Sequence, residues 1–172
     1  MRPLLHVDWR VEPLQKRHDR AAFSCGQVAL DRYLQHQTRQ DAQSQVAAVF
    51  VAVKPPDSTV LGFYSLSASS IAAADLPPDL AKKLPRYRHL PVTLLGRLAI
   101  DQPYKGQGLA QFLLLDALYR SLQAAATIAA MAVVVDAKDA AAEAFYERYG
   151  FMPLSASPGR KFLAMKTVEE LF

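Results

Sequence analysis

Three groups of residues in the 172-residue chain could do chemistry, and each is visible from residue type and spacing alone. Gly106 and Gly108 stand one residue apart, directly before the apolar-periodic stretch "LAQFLLLDALYRSL", with Lys105 ahead of them. Two glycines at a helix entry leave backbone N–H groups open to an anion, with the helix dipole behind them. Tyr146 lies in "AFYERYGF", where a tyrosine hydroxyl could serve as a general acid or merely pack beside Phe145. Lys82, Lys83, Arg86, Arg88, Arg97, Lys105 and Arg120 fall between Ala81 and Arg120, opposed there by Asp101 and Asp116 alone. A local excess of cations suits a polyanionic ligand, although for any single residue a solvated surface is the plainer explanation.

Spacing separates the anions that "YKGQGLAQ" could hold. A P-loop needs four residues between its glycines, then Lys and Ser/Thr; here one residue separates them and Leu109 follows. A dinucleotide fingerprint needs a third small residue, but Gln111 occupies that place, and no acidic ribose partner stands about 20 residues on. The third pattern is the acyl-CoA turn, Gln or Arg, two residues, Gly, one residue, then Gly or Ala. It maps onto Lys105, Gly108 and Ala110, with Lys105 departing from the usual first residue. A glycine turn that enters a helix without any ligand stays open at this point.

Other chemistries find little support. Cys25 is the only cysteine, which excludes a disulfide framework and a zinc cluster and fits a reducing compartment. His18 is near Cys25 in sequence, but a small residue at a helix entry is the simpler account of that cysteine. His6, His36 and His89 have no metal-ligand spacing, so no metal is expected. No signal peptide is legible, because His6 and Asp8 break the N-terminal apolar run. The longest charge-free runs, residues 58–74 and 121–135, fall short of about 18 consecutive apolar residues, so no membrane span is expected. The net charge of +4 is mild. The length fits one domain, residues 1–172, able to bury a core without staples.

The elements that must position these residues follow from periodicity. "WRVEPL" predicts a first strand, and residues 24–45 a helix with Ser24 as N-cap and Gln27 completing a capping box. "VAAVFVAV" and "TVLGFYSLSAS" predict a hairpin across "KPPDS". "AAADLPPDLAKKLPRYRHLP" predicts an irregular connection, and "VTLLGRLAI" a buried strand whose Gly96 suggests a bulge or a close approach. After the glycine turn and its helix, "MAVVVDA" predicts a strand buried on both faces, "KDAAAEAFYERYG" a helix stopped by Gly150, and "FMPL" with "KFLAMKT" a closing antiparallel pair. The order β, helix, β, β, β, helix, β, helix, β, β implies an α/β chain. Its twisted mixed sheet is parallel near the middle and antiparallel at both ends, with helices on its faces.

Over nearly its whole length the sequence resembles the GCN5-related N-acetyltransferases. "LLGRLAID…YKGQGLAQFLLLDAL" is similar to their acetyl-CoA strand, pyrophosphate loop and helix, and "AFYERYGF" to their tyrosine-bearing helix. More narrowly, it resembles the acetyltransferase toxins of bacterial toxin–antitoxin pairs through "AFSCGQVALDRYLQHQTRQD", "GFYSLSASSI", "LPRYRHLPVTLLGRLAID" and "VVVDAKDAAAEAFYERYGF".

The resemblance implies a mainly antiparallel mixed sheet that splays between "GRLAI" and "MAVVV" to admit acetyl-CoA. The backbone of Leu98, Ala99 and Ile100 would pair with the pantetheine arm, and Lys105, Gly106, Gln107, Gly108, Leu109 and Ala110 would cradle the pyrophosphate. Tyr146 would protonate the leaving thiolate, with Tyr149 more suited to packing. "VDAKDAAAEAFY" offers no counterpart to the asparagine that many of these enzymes carry. Lys82, Lys83, Arg86, Arg88 and Arg97 become candidates for tRNA phosphates, with Arg160 and Lys161 as candidate extensions of the patch.

No carboxylate stands in "VAAVFVAV" or "GFYSLSAS" to act as a strong base. Deprotonating a lysine rather than an α-amine costs about 3.5 kcal/mol more at neutral pH, from reference pKa values of about 10.4 and about 7.8. A site without a strong base therefore suits the α-amine of an aminoacyl-tRNA. An N-acetyltransferase of a small-molecule amine or a protein N-terminus is the alternative, and a partner-binding fold without catalysis a third. The toxin resemblance further implies a block on translation, a cytoplasmic homodimer, a ribbon-helix-helix antitoxin, and DNA met only through the antitoxin complex.

Overall fold

The computed structural model describes residues 8–172 apart from Ala156; His6 and most of the N-terminal run lie outside the described residues. The chain begins with β1 (Arg10–Pro13), α1 (Val28–Arg32), a π-helical turn (Tyr33–Gln37), α2 (Thr38–Gln43), β2 (Ala48–Val53) and β3 (Gly62–Ala72). A 3-10 turn (Ala73–Asp75) and α3 (Pro78–Ala81) lead to β4 (His89–Ile100), a second 3-10 turn (Gln102–Tyr104) and α4 (Leu109–Ala125). Then come β5 (Ala132–Asp136), α5 (Ala140–Arg148), β6 (Met152–Pro153), β7 (Arg160–Ala164) and α6 (Met165–Glu169).

The strands are hydrogen-bonded in the order β1-β2-β3-β4-β5-β7-β6. β4 and β5 are parallel, while β1–β2, β2–β3, β5–β7 and β6–β7 are antiparallel. The expected mixed sheet, parallel in the middle and antiparallel toward its ends, is thus what the chain forms. No described helix is long and apolar enough to cross a membrane.

The backbone divides into two compact units. Unit 1 takes Met1–Leu66 and Arg97–Ala117, and unit 2 takes Ser67–Gly96 and Leu118–Phe172. The core of unit 1 joins Phe23, Tyr33 and Leu34 to Val49, Val51 and Val53 of β2, Phe63 of β3 and Ala99 of β4. The core of unit 2 joins Ile71, Leu76, Leu90 and Val92 to Ala132 and Val134 of β5 and Phe162 of β7. β5 is buried along Ala132–Val135, as its continuous apolar run requires.

Three local expectations are corrected. Ser24 caps no helix: its N–H donates to Asp101 Oδ1 (2.9 Å) and its carbonyl accepts from Gln102 N–H (2.9 Å). Gly26 turns the chain at φ +94, and α1 starts only at Val28, with no side-chain cap on Gln27. Asp31 instead reaches back to accept the N–H of Cys25 at 2.8 Å. β4 begins at His89, earlier than expected, because Leu90 and Val92 alternate inward while His89 and Pro91 face out. "KFLAMKT" is strand only to Ala164; α6 then turns Val168 inward to full burial.

Candidate functional site

The glycine turn is built by the left-handed backbone of Gly106 (φ +79) and Gly108 (φ +88), which lets the chain reverse into α4. A Cβ at Gly106 would meet nothing within 4 Å, so conformation rather than crowding demands glycine there. Gly108 O accepts from Phe112 N–H at 3.0 Å and closes the first turn. The N–H groups ahead of that turn are those a helix start leaves for an anion. Leu109 anchors the entry with a buried side chain, Ala110 is half-buried, and the Gln107 amide donates to Pro103 O at 3.2 Å. Lys105 Nζ donates to Cys25 O at 2.5 Å, so this cation ties the loop to the turn before α1.

Immediately before the loop, β4 outlasts its parallel register. The ladder with β5 runs from Thr93↔Val133 to Leu95↔Val135, and β4 continues to Ile100. Leu98 is half-buried, and Ala99 and Ile100 are buried. Gly62 of β3 lies against this end. A Cβ on it would stand 2.8 Å from Leu113 Cδ1 of α4, 3.0 Å from Ile100 Cδ1 and 3.1 Å from Ala99 O. Gly62 therefore sets how closely α4 packs over the sheet, a role its place in an apolar strand did not disclose.

Tyr146 belongs to unit 2, on α5, whose start is capped by Asp139 accepting the N–H of Ala142 at 2.8 Å. Its ring is 7% exposed, edge-on to Phe145 at 5.2 Å and to Phe151 at 5.4 Å. Burial pushes its hydroxyl well above the usual phenol range, so it stays protonated at neutral pH. Among the described residues the hydroxyl has no hydrogen-bond partner, yet no fully buried polar side-chain atom there is left unsatisfied. Tyr149 packs edge-on to Phe145 at 5.3 Å, and its phenol is also raised by burial.

Lys82, Lys83, Arg86 and Arg88 are all exposed on the segment between α3 and β4, in unit 2, and among the described residues none has an ion-pair partner. Arg97 is exposed too but belongs to unit 1. The suggested extension of the patch through Lys161 is corrected. Lys161 is 4% exposed, because β7 lies between β5 and β6, and its ammonium pairs with Glu147 at 3.1 Å. Arg160 is held by both oxygens of Asp136, at 2.8 and 3.2 Å.

A constellation around Arg97 joins residues far apart in the chain. Its guanidinium carbon lies 3.6 Å from the centroid of the Tyr33 ring. Tyr33 stacks on the buried Phe63 (6.2 Å, 23°) and donates its hydroxyl to Asp41 Oδ2 at 2.8 Å. The other Asp41 oxygen accepts from the Gln37 amide at 2.9 Å. Burial first, then the bond to Asp41, pushes the Tyr33 phenol up to about 12 despite the nearby Arg97 charge. The π-helical turn places Tyr33 here and has its own cause. The Leu34 carbonyl is taken by Arg20 (3.1 Å) and the Thr38 hydroxyl (2.8 Å), while the Thr38 N–H bonds Tyr33 O instead. Such widened turns recur at functional sites.

Comparison with known proteins agrees with this layout. The model of the acetyltransferase (GNAT) domain matches residues 87–166. The chain is 33% identical to a probable toxin TacT of Sinorhizobium fredii, over 94% of this chain and 93% of that protein. It is 36% identical to a tRNA-acetylating toxin of Mycobacterium tuberculosis, over 89% and 90%. Among solved structures it is similar to AtaT complexed with acetyl-methionyl-tRNAfMet, at TM-score 0.90 and 30% identity, covering 96% of this chain and 99% of that one. It is also similar to a tyrosine-to-phenylalanine mutant of AtaT bound to acetyl-CoA and the C-terminus of the antitoxin AtaR (TM-score 0.82, 26% identity, 96% and 99% covered). A third likeness is to a KacTA–DNA complex (TM-score 0.79, 27% identity, 95% and 98% covered). On two relatives above 30% identity that match it almost from end to end, the chain belongs to the GNAT acetyltransferase family.

Proposed function

We propose that the chain is a toxin that transfers the acetyl group of acetyl-CoA to the α-amine of an aminoacyl-tRNA, and so stops translation. The observation that carries this is the near full-length match to a tRNA-acetylating toxin, in a chain that also has the glycine turn and the tyrosine helix such a reaction uses. The residues fit the co-substrate. The open N–H groups at the start of α4 suit a pyrophosphate, and the end of β4 beyond Leu95 offers extended backbone for the pantetheine amides. Acetyl-CoA, when bound, supplies an activated acyl group as a thioester.

The chain's own residues then divide the roles. Leu98, Ala99 and Ile100 position the arm through their peptide groups, and residues 105–110 hold the phosphates. Tyr146 keeps a proton on its hydroxyl at neutral pH and can pass it to the sulfur as the C–S bond breaks. The attacking amine loses its own proton to water, which is easier for an α-amine than for a lysine. Lys82, Lys83, Arg86 and Arg88 draw the tRNA backbone to the enzyme by charge.

The same reading takes residues 1–172 as one acetyltransferase domain, which the 93% and 90% coverage of the two relatives supports. It also includes a homodimer, a cytoplasmic site of action, a ribbon-helix-helix antitoxin, and DNA contact through that antitoxin. AtaT bound to AtaR supports an antitoxin partner, and the KacTA–DNA complex supports contact with DNA.

The test is incubation with labelled acetyl-CoA and a pool of charged tRNAs, with Tyr146→Phe as control. Label on aminoacyl-tRNA, falling steeply as salt rises, is the expected result. Label only on small amines or protein N-termini, indifferent to salt, would establish the alternative acetyltransferase instead.

A further inference from the structure

We propose that Arg97 is a stacking post for the terminal nucleobase of the acceptor RNA, with Tyr33 and Asp41 as the residues that position it. The proposal rests on the aminoacyl-tRNA reading and names the part of that substrate the post would take: the 3′-terminal adenosine, whose ribose carries the amino acid.

The post is a stack rooted in the core of unit 1. Phe63 is fully buried, Tyr33 lies nearly parallel on it, and the Arg97 guanidinium caps Tyr33 at 3.6 Å. Arg97 is an exposed residue, and a guanidinium seated on one ring has a second face for another planar partner. Tyr33 cannot swing away, because its hydroxyl is bonded to Asp41, and Asp41 is held in turn by Gln37. The phenol remains a neutral donor, since burial and Asp41 both raise it.

A guanidinium whose carbon sits 3.6 Å over a ring centroid can present a π-like face outward and N–H donors at its rim. That arrangement suits a nucleobase, which stacks on arginine planes in single-stranded RNA recognition. A phosphate would instead call for N–H groups converging end-on, as at the start of α4. Arg97 also directly precedes Leu98, the first residue of the backbone assigned to the acyl carrier. A base seated on Arg97 therefore places the esterified ribose near the strand that presents the acetyl group. Among the described residues Arg97 is in no salt bridge, although the Asp41 carboxylate is near enough to feel its charge.

The experiment uses full-length tRNA carrying 2-aminopurine in place of its terminal adenine. The wild-type protein should quench its fluorescence. Arg97→Lys keeps the charge but loses the plane, and should abolish the quench and raise KM for aminoacyl-tRNA about tenfold, the low end of base stacking. Acetyl-CoA affinity should hold, and so should the salt slope, because Arg97→Lys removes no cation. Tyr33→Leu should match it, and Tyr33→Phe, which keeps the ring, should retain most of the quench. Tyr33 is buried, so Arg97→Lys, which alters no buried ring, carries the test if Tyr33→Leu fails to fold.

Equal quenching by wild type and Arg97→Lys, or none by wild type, would overturn the stacking post. A quench that depends on Arg97 in a protein that acetylates no aminoacyl-tRNA would keep the post and remove the toxin reading.

Discussion

The ammonium of Lys105 donates to the carbonyl of Cys25, a contact that joins the glycine turn to a loop eighty residues earlier in the chain. The lysine standing where glutamine or arginine is usual thus has a second role, fixing the turn from behind. Lys105→Ala should weaken acetyl-CoA binding about tenfold, the scale of one hydrogen bond to a charged group. Lys105→Gln can still donate to Cys25 O and should recover part of the loss. Calorimetry on the three proteins separates tether from charge: no recovery with glutamine would assign the effect to charge alone.

Tyr146→Phe removes one oxygen that has no partner among the described residues, so the fold should lose little. Thermal melting should move by less than a few degrees. The chemical step should slow by about 10²–10⁴-fold, the range of general acid catalysis, with acetyl-CoA affinity unchanged. Single-turnover rates and equilibrium binding measure the two separately. A mutant that turns over at the wild-type rate would remove Tyr146 from the chemistry.

The raised phenol of Tyr33 has a consequence for alkaline stability. Its folded value, about 12, lies above the ordinary value of 10.0, so the folded state holds the proton more tightly than the unfolded chain. That stabilisation is fully present below pH 10 and is lost as pH rises from about 10 to about 12. Tyr33→Phe should therefore flatten the fall in stability across this window. Denaturant titrations at about pH 8, 10 and 11 would check it.

Gly62→Ala should destabilise by about 1–3 kcal/mol, the usual cost of overpacking. The tip of Leu113 can move aside, but the Ala99 carbonyl, 3.1 Å from the new methyl, is backbone. The melting temperature should fall by about 2–4 °C per kcal/mol for a chain of this size. An unchanged melting temperature would show that β3 and α4 separate freely at this point.

Features set by local pattern were legible in the sequence. The glycine pair, the helix behind it, the buried β5 run and the tyrosine helix depend on period and on glycine conformation, and all stand where periodicity put them. What escaped depends on partners distant in the chain. The π-helical turn exists because Arg20 takes the Leu34 carbonyl, and no feature of "YLQHQ" announces that. Lys161 looked like a surface cation because its strand was taken as part of a closing hairpin. It is buried because β5 and β6 flank it and Glu147 neutralises it. Ser24 and Gln27 had the spacing of a capping box, but Gly26 between them turned the chain and Asp31 capped from the other side.

β4 runs to Ile100, although its register with β5 closes at Leu95. In this last stretch Arg97 and Ala99 contribute their side chains, one on Tyr33 and one in the core, while Leu98 between them matters more for its peptide group. Leu98, half-buried, can drift among β-forming residues at small cost, whereas proline there would delete an N–H that no neighbouring residue can replace. Position 98 should thus be tolerant in residue identity and strict in backbone, unlike the neighbouring Arg97 and the buried Ala99. The N–H groups of this stretch on the β5 side, where the ladder has ended, should exchange with solvent faster than those paired within residues 93–95, until acetyl-CoA slows them.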